Sequence, residues 1–142
     1  MKVTVTRTGP MSFEACNPSG ASLRMDGPPD LGGTDQGMRP METLLASLAG
    51  CSAVDVVKIL GQQREPLEGL EIQVEGKRAD AIPAVFTDIH LRFIVRGPVA
   101  ENKARRAVAL SAEKYCSVSK MLEPSVRITH EVVLEPGAGV GS

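Results

Sequence analysis

Tryptophan is absent from this 142-residue chain, and the other aromatic side chains amount to three phenylalanines and one tyrosine. Neither a base-stacking platform nor an interfacial aromatic belt can be assembled from so few rings. A surplus of charge is missing too: 16 basic side chains stand against 17 acidic ones. With nothing in excess to neutralise phosphates or to coat an anionic bilayer, neither nucleic acid nor a membrane is an expected partner. The opening residues, Met1 to Arg7, contain no apolar run of the length that a secretory signal needs, which predicts a cytoplasmic protein. Cysteine is scarce as well. Cys16, Cys51 and Cys116 are odd in number and far apart, matching neither a disulfide framework nor the paired CxxC spacing of a zinc site. They are expected as thiols in a reducing compartment. No phosphate loop, HExxH or GxSxG pattern occurs. His90 and His130 fall on separate predicted strands with no third ligand in phase, so they are expected to be structural or exposed and no metal is expected there.

What remains is the composition of a folding domain, with 42% apolar and 23% charged residues. The length suits one domain over residues 1–142. Three short β-forming stretches at 2–7, 12–16 and 21–25, separated by Gly9-Pro10 and by Asn17-Pro18-Ser19-Gly20, predict an N-terminal meander. Asp26 to Pro40 holds four glycines and three prolines, a composition for an irregular loop, mobile or ligand-binding. Thr43 to Leu60 is long, free of proline and apolar nearly all round, with Asp55 and Lys58 as its interruptions. Such a segment is either a buried helix or a membrane span, and its four alanines and glycines with those two charges favour burial.

Alternation over Leu70–Glu75 and Phe86–Val95 predicts an antiparallel strand pair. Ala100 to Tyr115 follows as an amphipathic helix with Ala104, Ala107, Val108, Ser111 and Tyr115 on one face. Ser117 is placed to cap a short helix ending before Pro124, and Val126–Leu134 alternates into a last strand. The order is βββ–α–ββ–α–α–β, an α+β fold with no repeat and no parallel βαβ series. About six strands cannot cover a helix that is apolar on every side, so an intertwined homodimer is the expected remedy.

Chemistry is carried by few residues. Cys51 lies mid-helix with Leu44, Leu48 and Asp55 on its face, and a thiol among leucines needs a cation or directed hydrogen bonds to react. Cys116 falls at the N-terminal edge of the short helix, with Lys114 and Lys120 close in sequence. A buried cysteine in a helix is more often a small packed hydrophobe than a nucleophile, and Cys16 is expected to be inert packing. Glu42 at the start of the long helix suits a cap or a catalytic role, and Arg39 immediately precedes Pro40 at the N1 position. Arg7 and Arg24 are further guanidinium candidates.

Two segments, Pro40 to Val57 around Cys51 and Ser111 to Val118 around Cys116, resemble the two signatures of the OsmC/Ohr family of osmotically inducible and organic hydroperoxide resistance proteins. The order of elements agrees over nearly the whole chain. The resemblance implies an OsmC-like fold, two sheets wrapped around a long central helix in an intertwined homodimer. It also implies a thiol-dependent peroxidase acting on small organic hydroperoxides. Cys51 would be the attacking thiolate and Cys116 its disulfide partner, with a dithiol such as a lipoylated protein as reductant and no bound cofactor needed. The family's activating arginine–glutamate pair has Arg7, Arg24, Arg39 and Glu42 as candidates here, none of them assigned. The family glutamate aligns without gaps on Met41, so Glu42 stands one position on, a rotation of about 100° on a helix. Arg7-Thr8-Gly9-Pro10 takes the place of the family's Gly-Gly-Arg turn. A dimer that binds a small apolar ligand, or that serves as a redox sensor, is the competing expectation.

Overall fold

The computed structural model describes residues 1–136. The chain divides into two compact units, Met1–Leu44 and a second that begins at Leu45. In the first, β1 (Thr4–Arg7), β2 (Ser12–Cys16) and β3 (Ser22–Asp26) form the antiparallel meander that the turn residues predicted, in the order β1-β2-β3. The glycine-rich stretch after β3 differs from a free loop. The Asp26 carboxylate, 1% exposed, accepts hydrogen bonds from Ser12 Oγ (3.1 Å), Thr34 Oγ1 (2.6 Å), Thr34 N (3.0 Å) and Gln36 N (3.4 Å). A Cβ at Gly33 would collide with the Gly27 carbonyl, so this tight fold requires glycine there. One buried anion thus organises a segment whose composition signals only irregularity.

Helix α1 (Pro40–Gln62) crosses the boundary between the units. Its start follows from the sequence: Pro40 opens the first turn, and Glu42 Oε1 reaches back 2.8 Å to the backbone N–H of Arg39, half of a capping box. Within one chain the helix is covered on part of its surface, in keeping with the expectation that a single copy cannot cover it all round. Leu48, Ser52, Val56, Ile59 and Leu60 are buried, whereas Val54 and Val57 are 68% and 50% exposed. By length and hydropathy alone this helix would also pass for a membrane span.

In the second unit, β4 (Gly69–Arg78) and β5 (Phe86–Arg96) pair antiparallel as predicted. Strand β5 is central and its Phe86, Ile89, Leu91, Phe93, Ile94 and Val95 are buried. Helix α2 (Glu101–Leu110), a π-helical turn over Ser111–Tyr115, and helix α3 (Ser117–Leu122) lead to β6 (Arg127–Glu135), giving a second sheet ordered β4-β5-β6. Strand β6 lies parallel to β5, so one parallel crossover is present in a chain whose pattern suggested none. Both of its connecting helices are short and polar on one side, which hides a crossover from a reading of periodicity. On α2, Ala104, Ala107 and Val108 are fully buried as predicted, and burying a side chain such as Val108 stabilises by about 1.5–3 kcal/mol.

Tyr115 departs from that face and is 49% exposed. The reason is local. The backbone N–H of Cys116 donates to the Ser111 carbonyl, five residues back, at 2.8 Å. A turn widened by one residue shifts everything after Ser111 out of the 3.6-residue phase.

A candidate dithiol site

The second unit brings Cys51 and Cys116 together. The sulfurs of both, and a carboxylate oxygen of Asp55, lie within 4.8 Å of one another. Each element contributes for a local reason. Cys51 and Asp55 share one face of α1 because they are four residues apart. Cys116 enters from the crossover, delivered by the widened turn. Ser111, the first residue of that turn and fully buried, donates its hydroxyl to Asp55 Oδ2 at 2.9 Å and so holds the carboxylate beside the sulfurs.

Cys116, 1% exposed, is also the cap of α3: its Sγ accepts the backbone N–H of Ser119 at 3.4 Å. The sequence assigns this cap to Ser117; the structure gives it to the sulfur, the last residue before α3 with extended backbone. Ser52 Oγ donates to the same sulfur at 3.5 Å. Burial pushes the Cys116 thiol above its ordinary pKa, opposed by the hydrogen bonds from Ser52 and Ser119 and reinforced by Cys51. The lysines that were candidates to ionise it are engaged elsewhere. Lys114 Nζ sits 5.2 Å above the Tyr115 ring, and Lys120 pairs with Glu123 at 2.8 Å. Cys51 is half-buried and thus the more accessible thiol.

Asp55 also lines a cavity of about 300 Å³ together with Lys58, Ile59, Arg106, Leu110 and Tyr115. It combines apolar walls with two cationic heads, a setting for a small amphipathic molecule.

The candidate arginines, Glu42 and Cys16 belong to the first unit and have partners there. Arg7 donates Nε and Nη2 to the Pro10 carbonyl, at 3.3 and 3.2 Å. Arg24 Nη1 donates to Gln36 Oε1 at 3.2 Å. Arg39 pairs with Asp35 at 3.0 Å, and Glu42 caps α1. Cys16 Sγ donates to Glu14 Oε1 at 3.4 Å, which with partial desolvation raises its pKa. His90 bridges Thr129 Oγ1 and Glu131 Oε1 across the strand pair, a structural role. Reading the sequence noted Asp55 only as a neighbour of Cys51, and it missed Ser52, Ser111 and Ser119. The i,i+4 spacing of Cys51 and Asp55 was the available signal for the first; nothing local marks the serines.

An α+β architecture of two three-stranded sheets with a long helix, and a pair of thiols delivered by that helix and a crossover, define an OsmC-type protein. Residues 33–131 match the family described as OsmC-like protein, and the chain belongs to that family. Protein YhfA of Escherichia coli (strain K12) is 43% identical over 121 residues, covering 84% of this chain and 87% of YhfA. A hypothetical protein from Aquifex aeolicus VF5 superposes with a TM-score of 0.80 at 32% identity, over 94% of this chain and 96% of that one. An organic hydroperoxide resistance protein OsmC from Legionella pneumophila, described as a predicted redox protein, shares the fold. Its TM-score is 0.68 at 20% identity, over 93% and 96% of the two chains.

Proposed function

We propose that this protein is a thiol-dependent peroxidase that reduces small organic hydroperoxides through Cys51. The observation that carries the reading is the meeting of the Cys51 and Cys116 sulfurs within 4.8 Å, from positions remote in the chain. The hydroperoxide resistance named for the Legionella pneumophila relative supports it.

In the proposed cycle the Cys51 thiolate attacks the distal oxygen of the hydroperoxide. The O–O bond breaks, the departing alkoxide takes up a proton and leaves as the alcohol, and Cys51 becomes a sulfenic acid. Cys116 then attacks that sulfur, forming the disulfide, and its proton leaves with the hydroxyl as water. The sulfurs must close to roughly 2 Å. Cys116 is held by the wide turn and by the first residues of α3, so the approach requires rearranging two weak sulfur hydrogen bonds. An external dithiol, such as the lipoyl group of a partner protein, returns both cysteines to thiols and leaves as its own disulfide. The thiol chemistry fits the reducing cytoplasm.

The exposed valines of α1 favour a homodimer, in which a second copy covers Val54 and Val57. The purified protein with lipoyl or dithiothreitol reductant should consume cumene hydroperoxide, and Cys51→Ser should abolish this. Full activity in that variant, or none in the wild type, defeats the proposal. The alternative, a dimer that carries a small apolar ligand at its interface, predicts an adduct in native mass spectrometry and no turnover.

A further inference from the structure

The two thiols and the carboxylate gather three potential anions in a space of 4.8 Å, and the only partner of Asp55 among the described residues is the neutral hydroxyl of Ser111. They come from two separate elements and converge on one small space, as the ligands of a metal centre do. We infer that Cys51, Asp55 and Cys116 form a binding site for one zinc-type divalent cation per chain, with a fourth position left for water or another ligand.

The donor set suits that ion. Two thiolate sulfurs and one carboxylate oxygen are ligands that zinc accepts, at about 2.3 and 2.0–2.2 Å, and three protein ligands with an open fourth position are a zinc arrangement. Ligand atoms within 4.8 Å need only small rotamer changes to converge on a common centre at those lengths. Two ligands four residues apart on one helix face and a third from a separate element make up a usual construction. The supporting shell is in place. Ser111 Oγ orients the carboxylate, while Ser52 Oγ and the Ser119 N–H donate to the Cys116 sulfur. A monovalent soft ion such as copper(I) would be satisfied by the two sulfurs alone; the carboxylate is the ligand that selects a divalent ion.

Zinc would be held only while the pair is reduced, since a disulfide has no thiolate to offer it. Oxidation of the metal-bound pair by a hydroperoxide forms the Cys51–Cys116 bond with loss of two electrons. The peroxide takes those electrons and two protons, becoming alcohol and water, and the ion is released. The binding itself does not rest on the peroxidase reading, because it is measured on the reduced protein without peroxide.

Reduced full-length protein should hold one Zn²⁺ per chain in competition with a chromogenic chelator. Co²⁺ in its place should give thiolate-to-metal charge transfer and the intense visible bands of four-coordinate geometry. Asp55→Ala should weaken binding by at least about tenfold, and Ser111→Ala by roughly 10-fold to 100-fold. Cys16→Ser should leave it unchanged. Failure of the wild type to retain Zn²⁺, six-coordinate cobalt spectra, or equal binding by wild type and Asp55→Ala would overturn the inference. The cobalt spectrum of the wild type decides the matter even if a variant misfolds. Loss of zinc binding with peroxide turnover intact rejects the metal site alone, and the reverse outcome rejects the peroxidase alone.

Discussion

Ser111 and Asp55, 56 residues apart in the chain, are joined by a hydrogen bond of 2.9 Å that ties the turn before Cys116 to the helix that carries Cys51. The donor is fully buried and the acceptor half-buried, so the link is shielded from water on one side. Removing it should loosen the hold of the turn on α1 as well as the site itself. Ser111→Ala is expected to cost about 0.5–1.5 kcal/mol of stability, read from urea denaturation midpoints at unchanged slope. A midpoint equal to that of the wild type would show that the bond contributes nothing.

Cys116→Ser separates the two chemical steps. Its hydroxyl can still accept from Ser119 and cap α3, so the fold should persist. Treated with one equivalent of cumene hydroperoxide, this variant should accumulate a Cys51 sulfenic acid that dimedone traps, whereas the wild type should yield a Cys51–Cys116 disulfide by peptide mapping. A disulfide between Cys51 and Cys16 in the wild type would contradict the assignment.

The N-terminal unit should respond to acid through Asp26. Hydrogen bonds, the largest from the Thr34 hydroxyl, hold its carboxyl at a pKa of about 2, below the ordinary value of 3.8. A depressed folded pKa means that the ionised form stabilises the fold above the unfolded value. That contribution is lost as pH falls from 3.8 towards 2. The amides of Thr34 and Gln36 should therefore lose hydrogen-exchange protection across this window relative to Asp26→Asn, whose protection should be lower at neutral pH and flat with acid. A pH-independent wild type would refute the assignment.

The exposed stripe of α1 makes a separate claim about assembly. Val57→Glu places a charge on the face assigned to a second copy, and burying it unpaired is costly. Sedimentation should show a dimer for the wild type and a monomer for the variant at micromolar concentration. A monomeric wild type would refute the dimer, and a dimeric variant would place the contact elsewhere.

Much of this architecture was legible in the sequence. Alternation located β4, β5 and β6, turn residues separated the meander, and Pro40 with Glu42 marked where α1 begins, because each of these signals is local. The parallel pairing of β5 with β6 was not legible, since registry between distant strands is set by packing and leaves no mark on either. The cap of α3 was missed because propensity favours a serine hydroxyl at Ser117, while the backbone becomes helical one residue earlier and leaves the role to the Cys116 sulfur. At the site, the resemblance supplied the two cysteines. Asp55 and the three serines needed coordinates, because they matter through where remote segments meet.

The wide turn at Ser111–Tyr115 has a consequence for the sulfur that follows it. An ordinary α-helical turn of the same segment would use one residue fewer, and each residue of helix advances the chain by about 100°. The heading of Cys116 is thus fixed by a count of residues, and deleting one residue between Ser111 and Cys116 would swing its thiol away from Cys51 without altering any group that takes part in the chemistry.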